Sequence, residues 1–478
     1  MKRLHRKTKI IATIGPASNS GEMISRLLTS GVNVFRLNFS HGNCEMHGQV
    51  LKLIREKSQE LGVEVAVLAD LQGPKIRTGK TPDNNPIYLE TGSKITMVSD
   101  INQECSASVI SIDYPGLAKE IASGQLVLIN DGAVSLRVDT IDSSDTIYCT
   151  VLSGGAYSSR KGVNFPDVDL SIPSMTQKDL SDLEFILKND FQYVALSFVR
   201  KADDVLKLKE IINESRTDIE VIAKIEKPEA ARRIDDILKV ADGIMVARGD
   251  LGVEVNIALV PIIQKQLIEK ANKAGKIVIV ATQMLESMIK SPIPTRAETT
   301  DVANAVIDGA DAIMLSGETA AGLYPVAAVE TMRSIACNAE CSNYIEYGKN
   351  AYASNIQFPP FAICEAARWA SQNLGNIPVC VYSLTGATAE YLSKVRVVAP
   401  IFVFTPNYQV IRQLSLQWNV TALFMEFYTD VSELHKDAED ILIKKKYINH
   451  GDLIAHICGT TPNAGATNSL RIKKVGEN

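Results

Sequence analysis

Eight short apolar runs, each followed by a stretch with helical spacing, constrain this chain more than any other feature. They occupy residues 10–15, 32–39, 65–71, 193–198, 221–226, 243–246, 277–281 and 312–315 and are rich in Ile, Val and Ala. Their hydrophobicity is continuous rather than alternating, so both faces of each strand must be covered, as in a parallel sheet. Amphipathic stretches such as 262–274 and 299–307 lie between them and supply that cover. Eight β-then-α units predict an α/β fold built on a (β/α)8 TIM barrel.

The spacing breaks once. Residues 72–192 separate the third run from the fourth, whereas a βαβ unit needs roughly thirty. Much of that gap is rich in Thr, Ser, Asp and Gly, with β-patterned pieces at 94–98, 126–129 and 134–138. It reads as a small all-β domain inserted after strand three, with hinges at Gly73-Pro74 and 169–173. The barrel pattern stops after Cys341, and the polar stretch 342–360 reads as a linker. Strand-like runs at 379–383, 401–405, 422–424 and 453–457 then predict an open-sheet α/β domain. The division is therefore 1–71 with 172–345, 72–171, and 346–478. A length of 478 residues suits three domains at roughly 150 residues each.

Composition narrows the function classes. With 50 Lys plus Arg against 55 Asp plus Glu the chain is mildly acidic and has no basic block. It is a poor match for nucleic acid or a membrane surface. The eight Cys are scattered with no C-x-x-C, which reads as a reduced, cytoplasmic protein. No run of 18 apolar residues exists to span a bilayer.

Chemistry in a TIM barrel collects at the carboxyl ends of the strands. Those ends carry Arg36 to His41, Asp70, Lys224 with Glu226, Arg248-Gly249-Asp250, Thr282-Gln283 and Ser316-Gly317-Glu318. Any one could be a solvated loop residue; six polar ends at one mouth form a site. Lys224 and Glu226 are two apart on a strand, so they point the same way. A rim ion pair is the bland alternative. Glu226 and Asp250, on neighbouring strands, could share a hard cation such as Mg2+, which takes one or two carboxylates plus substrate and water. Lys224 would then be a positive charge aimed at transferring phosphoryl oxygens. The glycine-interrupted turn at 248–252 could open a short helix and offer the N–H groups of Gly249 and Asp250 to an anion. Residues 73–81 approach a P-loop, but five residues separate Gly73 from Gly79, and Thr81-Pro82-Asp83 reads as a turn. A nucleotide would instead need cations such as Arg36, Arg77 and Lys161.

At these residues the chain resembles the pyruvate kinases over essentially its whole length. The matching segments include residues 8–17, 36–42, 70–79, 224–226, 245–252, 281–288, 294–298 and 301–305. The resemblance implies a TIM barrel carrying a β-barrel lid and a C-terminal regulatory domain. It implies phosphoryl transfer from phosphoenolpyruvate to ADP, giving pyruvate and ATP in glycolysis, in an allosteric homotetramer. Carried over by position, Glu226 and Asp250 hold a protein-bound Mg2+ and a second Mg2+ arrives with the nucleotide. Lys224 and Arg36 act on the phosphoryl group. Gly249, Asp250 and Thr282 hold the carboxylate or enolate end, with Thr282 a relay to the proton donor. Asn38, Phe39, Ser40 and His41 line the nucleotide side, and Arg77 and Lys161 reach its phosphates from the lid. Ser383, Thr385, Gly386 and Thr388 resemble a loop for the phosphate of an effector, with 459–468 as its partner loop. The family's K+ site corresponds to Asn38, Ser40, Asp70 and a carbonyl near Thr78. K+-requiring members carry Glu where this chain has Lys75. Leu71, Gln72 and Lys75 form the set associated with K+-independent members, from which Thr78 departs. A Mg2+-dependent aldolase barrel would share the metal carboxylates but would need neither Arg77, Lys161 nor the lid. A non-catalytic relative would be expected to lack Lys224, Glu226, Asp250 or Thr282.

Overall fold

A computed structural model describes residues 6–142, 146–166, 168, 170–345, 358–426, 430–459 and 467–477. Outside these lie most of the basic start, hinge residue Asp169, most of the expected linker, and residues 460–466 of the expected partner loop.

The eight apolar runs form strands β1 (Lys9–Thr13), β2 (Val34–Asn38), β3 (Ala66–Asp70), β4 (Tyr193–Leu196), β5 (Glu220–Ile225), β6 (Gly243–Ala247), β7 (Ile277–Ala281) and β8 (Ala312–Leu315). They close into a barrel in sequence order, every pair parallel, with β1 pairing both β2 and β8. The continuous hydrophobicity has a direct cause. Ile11, Val34, Leu68, Tyr193, Ile222, Met245 and Ile279 fill the interior. Their strand neighbours, such as Ile10, Ala12, Phe35 and Val67, pack against the surrounding helices. Helix boundaries follow local chemistry. Ser20, Asn43, Thr176 and Thr295 cap the helices that follow them, the last two in reciprocal capping boxes with Asp179 and Glu298.

The insertion has its own apolar core, running from Ile76 to Leu170. Its main sheet has six strands, ordered Val163–Asn164, Leu126–Ile129, Val134–Ile141, Ile147–Ser153, Lys94–Val98, Val109–Ser111. The expected β-barrel is joined only by single bridges: Arg77 pairs Gly162 beside one edge, and Thr78 pairs Ile112 beside the other. Arg77 and Thr78 thus lie on the seam, next to the hinge from β3.

The C-terminal sheet is ordered β11 (Val420–Phe424), β10 (Ile401–Thr405), β9 (Val379–Tyr382), β12 (Leu453–Gly459), β13 (Thr467–Lys474). The first four are parallel. β13 is an antiparallel edge strand that the sequence pattern does not announce, because its Arg, Lys and Asn residues blunt an exposed edge. This domain sits under the amino ends of the barrel strands. Leu416 joins the barrel's interior core, Lys9 Nζ donates to the Val420 carbonyl at 2.6 Å, and Lys394 and Arg396 clasp the buried Asp311 at 2.7 and 2.9 Å. The carboxyl ends of the strands face away from it, under the insertion. Among the described residues no helix is long and apolar enough to cross a membrane.

Candidate active site

Register brings the first group together. Asn38 and Ala195 both pair with Asp70, which places the ends of β2, β3 and β4 at one level. Arg36 Nε meets Asp70 Oδ2 at 2.6 Å, and Lys224 Nζ reaches Asp70 Oδ1 at 3.2 Å and Glu226 Oε1 at 2.7 Å. The two carboxylates are only 1% exposed and the two cations 11% and 12%. Burial opposes ionisation of Asp70, but the charges of Lys224 and Arg36 outweigh it and hold the carboxyl below its ordinary value. Burial likewise opposes the Lys224 ammonium, yet Asp70, Glu226 and Asp250 hold it well above its usual range. Glu226 goes the other way. Burial and the nearby Asp250 charge push it up against the pull of Lys224.

Glu226 and Asp250, close enough for the charge of one to act on the other, are also two hard oxygen donors for one divalent cation. Among the described residues the Asp250 side chain makes no hydrogen bond or ion pair, so its carboxylate is available. No cluster of three or more His, Cys, Asp or Glu exists there. Mg2+ takes one or two carboxylates and keeps water and substrate oxygens in the rest of its shell. The residues present fit such an ion.

The second group lies on β6 and β7, where Ala247 pairs Ala281. A short helix, Arg248–Glu254, does begin at the glycine-interrupted turn. Its Gly249 N–H, expected to point at an anion, donates here to Thr282 Oγ1 at 2.8 Å. The hydroxyl in turn donates to the Ala281 carbonyl at 2.6 Å. Glu318 braces the loops rather than facing the mouth, accepting from the backbone N–H groups of Leu285 and Ser316 at 3.0 and 2.7 Å.

The remaining residues are spread around this centre. Asn38 Oδ1 accepts from the Ser40 N–H at 3.1 Å, and His41 is exposed with its carbonyl 2.9 Å from His47 Nε2. Phe39 departs from expectation. Its ring is buried against His47, Phe185 and Phe191, its N–H donates to the Asp70 carbonyl at 2.9 Å and its carbonyl accepts from Lys178 Nζ at 2.7 Å, so it anchors the loop. Arg77 donates to the Arg160 carbonyl at 3.1 Å, and the Lys161 N–H donates to Thr78 Oγ1 at 3.0 Å. Both cations therefore belong to the seam of the insertion, apart from the Lys224 cluster. Lys75 and Asp250 line one crevice between insertion and barrel. The insertion also touches the barrel where Asn164 donates to Glu254 at 2.7 Å. In the C-terminal domain Ser383 Oγ accepts from the Gly386 N–H at 2.9 Å, Gly386 has φ 87°, Thr388 and Thr467 share a hydroxyl contact of 2.8 Å, and Thr385 is exposed.

Three participants are absent from the strand-end reading. Ser197 Oγ accepts from Lys224 Nζ at 2.8 Å and donates to the Leu71 carbonyl at 2.7 Å. The Phe198 N–H donates to Glu226 Oε2 at 2.7 Å from a residue at φ 54°. The available signal was a serine interrupting the apolar run 193–198. Thr13, inside the first run, accepts from Arg36 Nη1 at 3.1 Å.

A barrel that gathers cations and paired carboxylates at its strand ends, beneath an inserted domain, is built for an anionic, phosphorylated substrate. Comparison with known proteins makes the class specific. Residues 5–329 match the family model for the pyruvate kinase barrel domain, and residues 361–473 match that for the pyruvate kinase alpha/beta domain. The chain is 43% identical to pyruvate kinase 2 of Synechocystis over 99% of its own length and 80% of that protein. It is 42% identical to the pyruvate kinase of Clostridium acetobutylicum over 98% of this chain and 99% of the other. The crystal structure of a pyruvate kinase from Cryptosporidium parvum superposes with a TM-score of 0.93 at 36% identity, covering 98% of this chain and 96% of that one. The chain belongs to the pyruvate kinase family. It is a phosphotransferase of that glycolytic family, whose general reaction takes phosphoenolpyruvate and ADP to pyruvate and ATP and generally depends on Mg2+ and K+.

Proposed function

We propose that Lys224 and Arg36 receive the phosphoryl group as it passes from phosphoenolpyruvate to ADP. An oxygen of the terminal ADP phosphate forms the new O–P bond as the enol O–P bond breaks; the pair of the broken bond stays on the enol oxygen, and the enolate then takes a proton at its methylene carbon. The observation that carries this reading is the Lys224 ammonium, buried and kept cationic between Asp70 and Glu226. Fixed charge in a water-poor site stabilises developing negative charge without reorganisation. Glu226 and Asp250 would hold a Mg2+ that polarises the substrate oxygens. Gly249, Asp250 and Thr282 hold the carboxylate or enolate end, and the Thr282 hydroxyl relays toward the proton donor. Asn38, Ser40 and His41 line the nucleotide side, with Arg77 and Lys161 arriving as the insertion closes and excludes water.

Pyruvate formation from phosphoenolpyruvate, followed with and without ADP during a Mg2+ titration, tests the reading. Turnover should require both. Pyruvate release at the same rate without ADP would overturn it.

In the same proposal Lys75 replaces the K+ ion. Asp70 already meets Arg36 and Lys224, and Lys75 lines the same crevice as Asp250. A second cation there would be opposed by like charge. A phosphorylated effector at Ser383, Thr385, Gly386 and Thr388 belongs to the same reading, supported by the small-residue turn into the helix Ala387–Lys394. So does a homotetramer, for which the exposed Ile257, Leu259, Ile262, Ile293 and Leu323 offer apolar surface.

A further inference from the structure

Thr282 and Gln283 have φ of 67° and 54°. The left-handed region is uncommon for any residue with a Cβ and an outlier for a β-branched one. Glycine would remove the difficulty, but glycine has no hydroxyl. A chain that keeps Thr at this position must hold its backbone from outside.

Arg248 supplies that hold. Its Nη2 and Nε donate to the Thr282 carbonyl at 2.6 and 3.2 Å, so one guanidinium edge grips the strained peptide. Its Nη1 donates to both oxygens of Asp301 at 2.7 and 2.6 Å and faces Gln264 Oε1 at 3.4 Å. The Arg248 side chain is only 9% exposed. Asp301 lies on the capped helix Arg296–Asp308, so the grip is anchored to a rigid element. Arg248 is also the residue directly before Gly249, whose N–H meets the Thr282 hydroxyl at 2.8 Å. Backbone clamp and hydroxyl contact are therefore set by two consecutive residues of one turn.

We propose that Arg248 is a positioning residue for Thr282. It touches no substrate. It holds residue 282 in the left-handed conformation that keeps the hydroxyl against Gly249, where the proposed function places the enolate. This rests on the reading of Thr282 as a site residue. The guanidinium geometry is what matters, because a lysine offers a point charge and cannot grip a carbonyl and a carboxylate with two edges.

The test is a double-mutant cycle with Thr282→Ala, Arg248→Gln and Arg248→Lys. Two readouts serve: kcat for the full reaction, and exchange of the pyruvate methyl hydrogens with D2O, which needs only the proton step. Arg248→Gln should lower both by about 10²-fold, the scale of a 1 Å misplacement, with Arg248→Lys recovering part. The double variant Arg248→Gln/Thr282→Ala should be no slower than the slower single variant. Multiplying losses, or an Arg248→Gln variant within threefold of the wild-type exchange rate, would overturn the proposal. A thermal-melt cycle separates this from a failure of the site reading. Thr282→Ala with wild-type kcat would remove Thr282 from the site. Equal Tm losses from Arg248→Gln in the Thr282 and Thr282→Gly backgrounds would show instead that Arg248 does not hold this backbone.

Discussion

Lys224 is the residue on which the chemistry turns. It is one ammonium among three carboxylates, hydrogen-bonded to Ser197, with almost no solvent. Lys224→Met should lower kcat on the order of 10³–10⁵-fold, by analogy with a transferring arginine finger. The variant should stay folded, since Asp70 keeps Arg36 and Glu226 keeps the Phe198 N–H. A variant within tenfold of wild type, about 1.4 kcal/mol, would remove Lys224 from the transfer step; a thermal melt separates loss of fold from loss of chemistry. Lys75 carries the second residue-scale prediction. Rates measured with tetramethylammonium as the only monovalent cation should be substantial for the wild type. Lys75→Glu should lose activity there and regain part of it when K+ is added. A wild type nearly inert until K+ arrives would restore the K+ site.

At the scale of elements, the strands position and the turns between strand and helix hold the chemistry. β5 delivers Lys224 to the mouth because each neighbouring strand is in fixed register with it. Gly243 shows how tight that packing is. A Cβ there would lie 2.8 Å from both the Ile222 side chain and the Ile277 Cβ. Gly243→Ala should destabilise by about 1–3 kcal/mol, the usual cost of overpacking, read as a lower Tm. Unchanged stability would mean that β5 and β7 can move apart freely. Three residues just beyond the strand ends, Phe198, Thr282 and Gln283, have left-handed backbone. Such strain persists where the surroundings over-determine it, and it gathers at working sites.

Across the whole molecule, the C-terminal domain reaches the floor of the barrel through buried charge. Glu390, on the helix that starts at the expected effector turn, is pushed up to about 7 by burial, with Lys394 opposing and Asp242 adding to the rise. Glu220, at the start of β5, is also raised, by burial and then by Glu390 and Asp242. An acid whose folded-state value exceeds its ordinary 4.5 binds protons more tightly when folded. Its contribution therefore favours the folded state below about 4.5 and weakens as pH rises to about 7. Glu390→Gln should raise Tm at pH 8 and change it little at pH 4.5. A shift of the same size at both would show that the proton is not taken up at this interface.

The barrel, the place of the insertion and the polar strand ends were legible in the order of residues, because a strand buried on both faces must be apolar throughout and its first solvated residue marks its end. Lys224 and Glu226 could be paired from a two-residue spacing alone. Other features needed tertiary structure. Asp70 became the partner of both Arg36 and Lys224 only when three strands from distant parts of the chain came into register. Ser197 looked like part of an apolar run, and Phe39 was expected to line the nucleotide side until its ring met three others. Strand β13 escaped because an exposed edge is charged by necessity. Arg248 read as one more cation at the mouth. Its burial against Asp301 and its grip on the Thr282 carbonyl depend on a helix some fifty residues further along the chain. Periodicity reports which faces a segment must bury; only folding decides which segments do the burying, and therefore which charges meet.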